Sequence, residues 1–231
     1  MPTYNEAENV EAIVRASLPH LASTGLDHRV LVVDDGSPDG TGDIADRLAA
    51  EIENVTVLHR ARKEGIGPAY LAGFAHAMAA GADLLLEMDA DFSHDPADLP
   101  RLIGATDRAD LVLGSRYVPG GGVTDWGFAR RMISRGGSLY AKFLLGVPVH
   151  DLTGGFKCFR RGVLERLDLE AVGTDGYGFQ IEMTYRAIRA GFRVEEVPIL
   201  FRDRRVGASK MSTRIAVEAF FKVPALRFRV R

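Results

Sequence analysis

Short apolar runs that end in carboxylates, separated by helix-length segments, constrain this chain more than any other feature. Residues 29–33 form one such run and deliver Asp34-Asp35-Gly36-Ser37-Pro38; residues 82–88 form another and deliver Asp89-Ala90-Asp91. Two further strand-like runs lie at 54–59 and 110–114. Between them the apolar spacing is helical. Val10, Ile13, Val14, Leu18 and Leu21 predict a first helix, with Asn5 as its candidate cap. Segments 43–51 and 69–80 predict two more, and Pro96 and Pro100 punctuate the start of a fourth. This alternation predicts an α/β domain, with helices on both faces of a Rossmann-like, mostly parallel central sheet. Ligands of such sheets gather beyond the carboxyl ends of the strands, where Asp34, Asp35, Asp89 and Asp91 fall.

After residue 115 the rhythm changes. Pro119-Gly120-Gly121-Gly122 is a turn, 127–145 a long helical pattern and 156–159 a short apolar run. A helix near 179–190 and a strand at 192–197 complete the core, and 212–223 has helical spacing that Pro224 interrupts. With 231 residues, no internal repeat and no low-complexity linker, a single domain over 1–231 is expected. Only Met1-Pro2-Thr3 precedes the turn into the first helix, so the first strand is expected to be truncated before Met1.

Composition excludes several classes. A 46% hydrophobic content with a net charge of -2 is not the signature of disorder. The single Cys158 allows neither an internal disulfide nor a cysteine metal site, and its apolar neighbours make it a core residue. No run reaches the ~18 apolar residues of a membrane span. Near-neutral charge and the lack of any nucleic-acid-binding pattern argue against nucleic acid as a partner. The charge is unevenly placed: the tail from Lys210 onward carries +5 and the rest -7, with six acids between Asp83 and Asp98.

Asp89-X-Asp91 could hold a hard divalent cation that neutralises a diphosphate, although solvated loop acids read the same way. Adjacent loop carboxylates rarely supply the facing pair of a glycosidase. Asp34-Asp35-Gly36-Ser37 is a turn or a contact for a nucleoside. Gly65-Ile66-Gly67 lacks the dinucleotide fingerprint and the phosphate-loop lysine. No Gly-X-Ser-X-Gly elbow occurs. Arg116, Arg130, Arg131 and Ser134 could converge on a phosphate, and Lys157, Arg202, Arg204 and Lys210 add cations that favour an anionic substrate.

Taken in order, Pro2-Thr-Tyr-Asn-Glu6, Val33-Asp-Asp-Gly-Ser37, Gly65-Ile-Gly67, Met88-Asp-Ala-Asp91, Gly114-Ser-Arg-Tyr117, Asp151-Leu-Thr-Gly-Gly-Phe156 and 201–210 resemble the family-2 glycosyltransferases of GT-A fold, nearest the dolichyl- and polyprenyl-phosphate mannosyltransferases. The resemblance implies inverting transfer of mannose from GDP-mannose to dolichyl or polyprenyl phosphate. It implies that Pro2, Tyr4, Glu6 and Asp35 line the nucleotide side. Asp89, Ala90 and Asp91 would meet the donor diphosphate with Mg²⁺ or Mn²⁺, and Ser93 stands where some members carry a Gln in the metal site. Arg116, Arg130, Arg131 and Ser134 would face the acceptor phosphate, with Arg116 shared by both substrates, and Lys157, Arg202 and Arg204 would surround them. UDP-glucose as donor, and a non-catalytic nucleotide-binding module, are the alternatives.

A lipid acceptor gives the basic tail a role. Residues 209–231 combine Phe220, Phe221, Leu226 and Phe228 with Lys and Arg, and are expected to meet an anionic membrane surface. The expected location is the cytoplasm, peripheral at the cytoplasmic face of the membrane, with a separate or fused membrane domain as a further partner.

Overall fold

The computed structural model describes residues 1–203 and 223–230. The chain alternates as expected: β1 (Pro2–Thr3), α1 (Val10–Ala22), β2 (Val30–Asp34), α2 (Thr41–Glu51), β3 (Val55–His59), α3 (Ile66–Ala79) and β4 (Leu84–Glu87). A 3-10 turn (Pro96–Asp98) leads into α4 (Leu99–Ala105), followed by β5 (Leu111–Ser115), β6 (Gly122–Val123) and α5 (Phe128–Leu145). Then come β7 (Lys157–Arg160), α6 (Arg161–Arg166), α7 (Tyr177–Arg189), β8 (Val194–Pro198) and β9 (Leu200–Phe201). Residues 223–229 are helical.

β1, β2 and β3 form a parallel sheet in that order, and β4-β7-β5-β8 form a second. Within the second, β5 and β8 are parallel while β7 runs antiparallel to both neighbours. β6 and β9 make a short parallel pair. The short apolar run at 156–159 thus leads into and forms most of the central strand β7. Lys157, Cys158 and Phe159 are fully buried because β7 is enclosed on both edges and both faces.

Alternation along the strands divides the interior into two layers. Leu111, Leu113 and Phe159 face one, with Phe74 of α3, Ala141 and Leu145 of α5, Phe179 and Met183 of α7, and Val223 and Leu226. Val112 and Cys158 face the other, with Ile13 and Val14 of α1, Leu48 of α2 and Leu102 of α4. Burial pushes the Cys158 thiol up to about 12, as a core residue requires. The small residues of α3 let it lie close to β2: a Cβ on Gly73 would come within 3.1 Å of Val33.

One local expectation is corrected. The N-cap position of α1 is held by Asn9, not Asn5, and the Asn9 side chain bonds Glu6 and makes no side-chain bond to the helix amides. Asn5 instead takes a left-handed φ of 53° in the turn after β1, where its amide donates to the Ser37 hydroxyl. Its short polar side chain tolerates that conformation. Residues 212–222 of the helical spacing expected at 212–223, and most of the basic tail, lie outside the described residues.

Candidate active site

Two strand ends supply the first half of the site. The Asp34 carboxylate is spent on structure: it accepts from the Thr3 hydroxyl at 3.2 Å, the Ser37 hydroxyl at 2.6 Å and the Ser37 amide at 3.1 Å. These bonds shape the turn that presents Asp35. Asp35 is buried and meets Arg60 at 2.6 Å. Desolvation raises its pKa, with Arg60 opposing that rise. Tyr4 lies beneath the Lys63 ammonium at 4.2 Å, and Glu6 accepts from the Asn9 side chain at 2.9 Å. Pro2, in β1, pairs in register with Val33.

The turn after β4 carries the paired carboxylates. Asp89 accepts from the Tyr70 hydroxyl at 3.3 Å, and its amide donates to His94 Nδ1 at 3.2 Å. That bond makes Nδ1 the acceptor, so the proton of the neutral ring sits on Nε2. His94 is buried between Phe156 and Phe201, with ring centroids at 4.8 and 5.4 Å. Burial depresses its pKa to about 4. The ring is therefore a neutral prop for the turn. Asp91 accepts from the Ser93 amide at 3.0 Å, which folds Asp91-Phe92-Ser93 into a tight loop with Phe92 at a φ of 62°.

This turn suits a hard cation. Asp89, Asp91 and Ser93 offer oxygen donors, and the Ser93 hydroxyl is buried without a hydrogen-bond partner. Among the described residues no group of three or more His, Cys, Asp or Glu gathers as a metal cage. Such an ion would leave much of its shell to substrate oxygens and water, as Mg²⁺ commonly does.

Arg116, at the end of β5, anchors the other half. It is almost fully buried, and its Nε and Nη2 meet the two Asp151 oxygens, both at 2.7 Å. The Arg116 amide adds a third bond to Asp151 at 3.0 Å, and Thr153 accepts from Nη2 at 2.8 Å. Burial opposes both charges, yet each partner outweighs it: Asp151 stays below its ordinary pKa and Arg116 above. The guanidinium lies 5.8 Å from the Trp126 ring, and that of Arg130 lies 4.3 Å from the same ring. Tyr117 donates to Ser134 at 2.7 Å. Arg116, Arg130 and Ser134 are thus brought together around Trp126 and Tyr117, with Arg131 bonded to the Val123 carbonyl at 3.2 Å.

Lys157 lies deeper than a direct substrate contact requires. It is fully buried and donates to the Gln180 carbonyl at 2.7 Å, opposite Glu87 in the β4–β7 register. Burial lowers its pKa to about 8 and raises that of Glu87 to about 7. Arg202 faces Asp95 at 3.5 Å, and its amide donates to the Ser93 carbonyl at 3.2 Å, which ties it to the carboxylate turn. Arg204 lies outside the described residues. Sequence reasoning missed the Tyr70 contact to Asp89, the role of His94 as a neutral prop for the turn and the pairing of Asp151 with Arg116. Asp151 stood in a quoted motif, but nothing in its spacing pointed to an arginine 35 positions earlier.

The Glycosyl transferase family 2 model matches residues 1–168. The polyprenol monophosphomannose synthase of Mycolicibacterium smegmatis is 52% identical over 233 residues, covering 100% of this chain and 86% of that protein. The undecaprenyl-phosphate mannosyltransferase of Micrococcus luteus is 50% identical over 223 residues, covering 96% and 90%. Among solved structures, glucosyl-3-phosphoglycerate synthase from Mycobacterium tuberculosis in complex with phosphoglyceric acid superposes with a TM-score of 0.73 at 20% identity, covering 98% of this chain and 78% of that one. The same enzyme with Mn²⁺, uridine diphosphate and glucosyl-3-phosphoglycerate gives a TM-score of 0.71 at 20% identity, with the same coverage.

Proposed function

The chain belongs to glycosyl transferase family 2, and on that premise we propose that it moves mannose from GDP-mannose to a polyprenyl or dolichyl phosphate, with inversion at the anomeric carbon. Sugar transfer from a nucleotide-sugar to a polyprenyl phosphate is the activity of a polyprenyl-phosphate mannosyltransferase, the class to which both relatives belong. The observation that carries the reading is the Asp89-Ala90-Asp91 turn, a set of oxygen donors at the carboxyl end of β4 with the unpartnered Ser93 hydroxyl beside it.

The reaction asks little acid–base chemistry of the protein. A phosphomonoester has its second pKa at about 6, so the attacking oxygen is already ionised near neutrality. No general base is needed, and His94, held neutral as a prop, is not used as one. The nucleoside diphosphate leaves as an anion. A divalent ion held by Asp89, Asp91 and Ser93 would supply charge neutralisation for that leaving group. Pro2, Tyr4, Glu6 and Asp35 bind the nucleoside, and Ala90 brings backbone close to the diphosphate. Arg116, locked by Asp151, presents a fixed positive charge, and Arg130, Arg131 and Ser134 orient the acceptor phosphate. Lys157 supports the site from below through Gln180, and Arg202 and Arg204 add positive potential.

Among the described residues no helix is long and apolar enough to cross a membrane. A peripheral position at the cytoplasmic face accords with a lipid-borne acceptor. The reading is tested by a donor panel, GDP-mannose against UDP-glucose, with polyprenyl phosphate and either Mg²⁺, Mn²⁺ or a chelator. Mannose transfer that stops with chelator supports it. Equal transfer with chelator, or transfer from UDP-glucose alone, would refute it.

A further inference from the structure

Glu195 and Glu196 are successive residues of β8, so their side chains leave opposite faces of the sheet. Glu195 takes Arg108 at 3.1 Å, the pattern of an ordinary surface pair. Glu196 turns the other way, and its side chain is only 10% exposed. One of its oxygens accepts from the Asp151 amide at 2.9 Å. The other accepts from the His150 amide at 2.8 Å and meets His150 Nδ1 at 2.9 Å. A single carboxylate thus holds two successive backbone amides and the ring beside them.

That grip falls on a segment that needs one. Residues 146–156 join α5 to β7 with neither helix nor strand, so single bonds set where Asp151 stands. The Asp151 carboxylate is in turn given over to Arg116, whose amide, Nε and Nη2 all donate to it. β8 and β5 are parallel neighbours, with Glu196 in register with Leu113, three residues before Arg116. The bonds therefore close a path from β8, through the 150–151 turn, to the guanidinium at the end of β5. The rings of Tyr117, Trp126 and Phe201 lie 5.2, 5.8 and 5.4 Å from that guanidinium, but ring contacts fix no donor direction. Its orientation comes from the Asp151 fork and the bond to Thr153.

We propose that Glu196 is a positioning residue for the transfer reaction. By clamping the His150 and Asp151 amides it sets the Asp151 carboxylate, and through it the Arg116 guanidinium, against the phosphate groups of the substrates. This role rests on the reading of Arg116 as a contact for those phosphates. Glu196 acts without touching substrate, and what it contributes is geometry. Donors help a reaction only when held in the productive place, and a misplacement of about 1 Å can cost about 100-fold in rate. Backbone amides suit such a clamp, because hydrogen bonds to an ionised carboxylate are short and strong and the amides bring no mobile side chain.

The test uses the full chain with GDP-mannose, Mg²⁺ and a short, water-soluble isoprenyl phosphate. Glu196→Gln keeps one accepting oxygen, so the chain should fold while one of the two amides loses its partner. Its kcat/KM for the acceptor should fall about 10- to 100-fold. Glu195→Gln, on the other face of the same strand, should leave that value unchanged. A second readout needs no turnover. Trp126 is the only tryptophan of the chain, and its ring lies 5.8 Å from the Arg116 guanidinium. Its emission should shift in folded Glu196→Gln and stay in place in Glu195→Gln. In an Asp151→Asn background, where the fork is already lost, Glu196→Gln should add no further shift. Unchanged kcat/KM or unchanged emission in Glu196→Gln would overturn the role, as would equal losses in Glu195→Gln or a full additional shift in Asp151→Asn. Failure of the parent chain to transfer mannose would instead strike the proposed function, and the emission of the variants would still decide whether Glu196 places Arg116.

Discussion

Arg116 and Asp151 hold each other in a buried fork, two side-chain bonds of 2.7 Å reinforced by the Arg116 amide at 3.0 Å. The fork fixes a cation at the end of β5 without leaving it free to collapse onto the Asp89-Ala90-Asp91 turn. Truncating either partner would leave a charge in the interior, which generally costs about 3–5 kcal/mol. Asp151→Ala should therefore unfold in denaturant with a loss of that order, and Arg116→Lys should lose transfer because an ammonium cannot fill both positions of the fork. An unaltered denaturation midpoint for Asp151→Ala would contradict the assignment.

The same pair gives an acid limit. Because the folded-state pKa of Asp151 is depressed, its contribution is present above the ordinary carboxylate pKa and is lost as pH falls through the folded value. Stability of the parent should fall in that acid range, and the fall should be shallower in Asp151→Asn. Parallel pH–stability curves would show that the pair is not the source.

Glu87 has the opposite sign. Burial lifts its carboxyl to about 7, against the opposing pull of the Lys157 ammonium and the Gln180 side chain. The folded state thus holds its proton over a range in which the unfolded chain has released it. Between about 4.5 and 7 the protein should lose stability as pH rises, by roughly 3 kcal/mol in all. Glu87→Gln should flatten that slope when measured with chelator present.

The carboxylate turn is the centre of the chemistry, and the two acids act there by charge, not by moving protons. Asp89→Asn or Asp91→Ala should reduce turnover by about 100-fold or more. Asp91→Ala should stay folded and lose no more than about 1–2 kcal/mol of stability, since Asp91 itself is in neither apolar layer and its described structural bond is the one from the Ser93 amide. Normal turnover in a folded Asp91→Ala protein would remove Asp91 from the site.

Gly65 opens α3 at a φ of +116°, and a Cβ there would fall 2.2 Å from Asp175 Oδ2. Asp175 accepts from the Gly67 amide at 2.9 Å, so it occupies that space as the partner of the helix start. The Asp175 carboxylate can swing away, but the backbone angle cannot relax as easily. Gly65→Ala should cost about 1–3 kcal/mol by chemical denaturation, and adding Asp175→Ala should not restore it.

Strand ends and helix faces were legible because period-2 and period-3.6 patterns reflect burial directly, and Asp34, Asp35, Asp89 and Asp91 stand where the strands release the chain. The direction of β7 was not legible. A run of four residues buried on both faces reads the same in either direction, and only its neighbours β4 and β5 fix it. Asn5 was read as a cap because its residue type suits one, whereas the turn after β1 used that type for its left-handed tolerance. The Arg116–Asp151 fork joins two loops through the fold, beyond any local pattern. The helical pattern of 127–145 was visible, but periodicity could not say that Phe128 and Phe143 turn away from the core while Ala141 and Leu145 turn into it.

The most direct measurement is transfer of labelled mannose from GDP-mannose into the organic-soluble fraction in the presence of polyprenyl phosphate and Mg²⁺ or Mn²⁺. Label is expected in a polyprenyl-phosphate mannose product with equimolar GDP released, and is abolished in Asp89→Asn. Release of GDP with no labelled lipid, or labelled lipid formed equally well by Asp89→Asn, would contradict it.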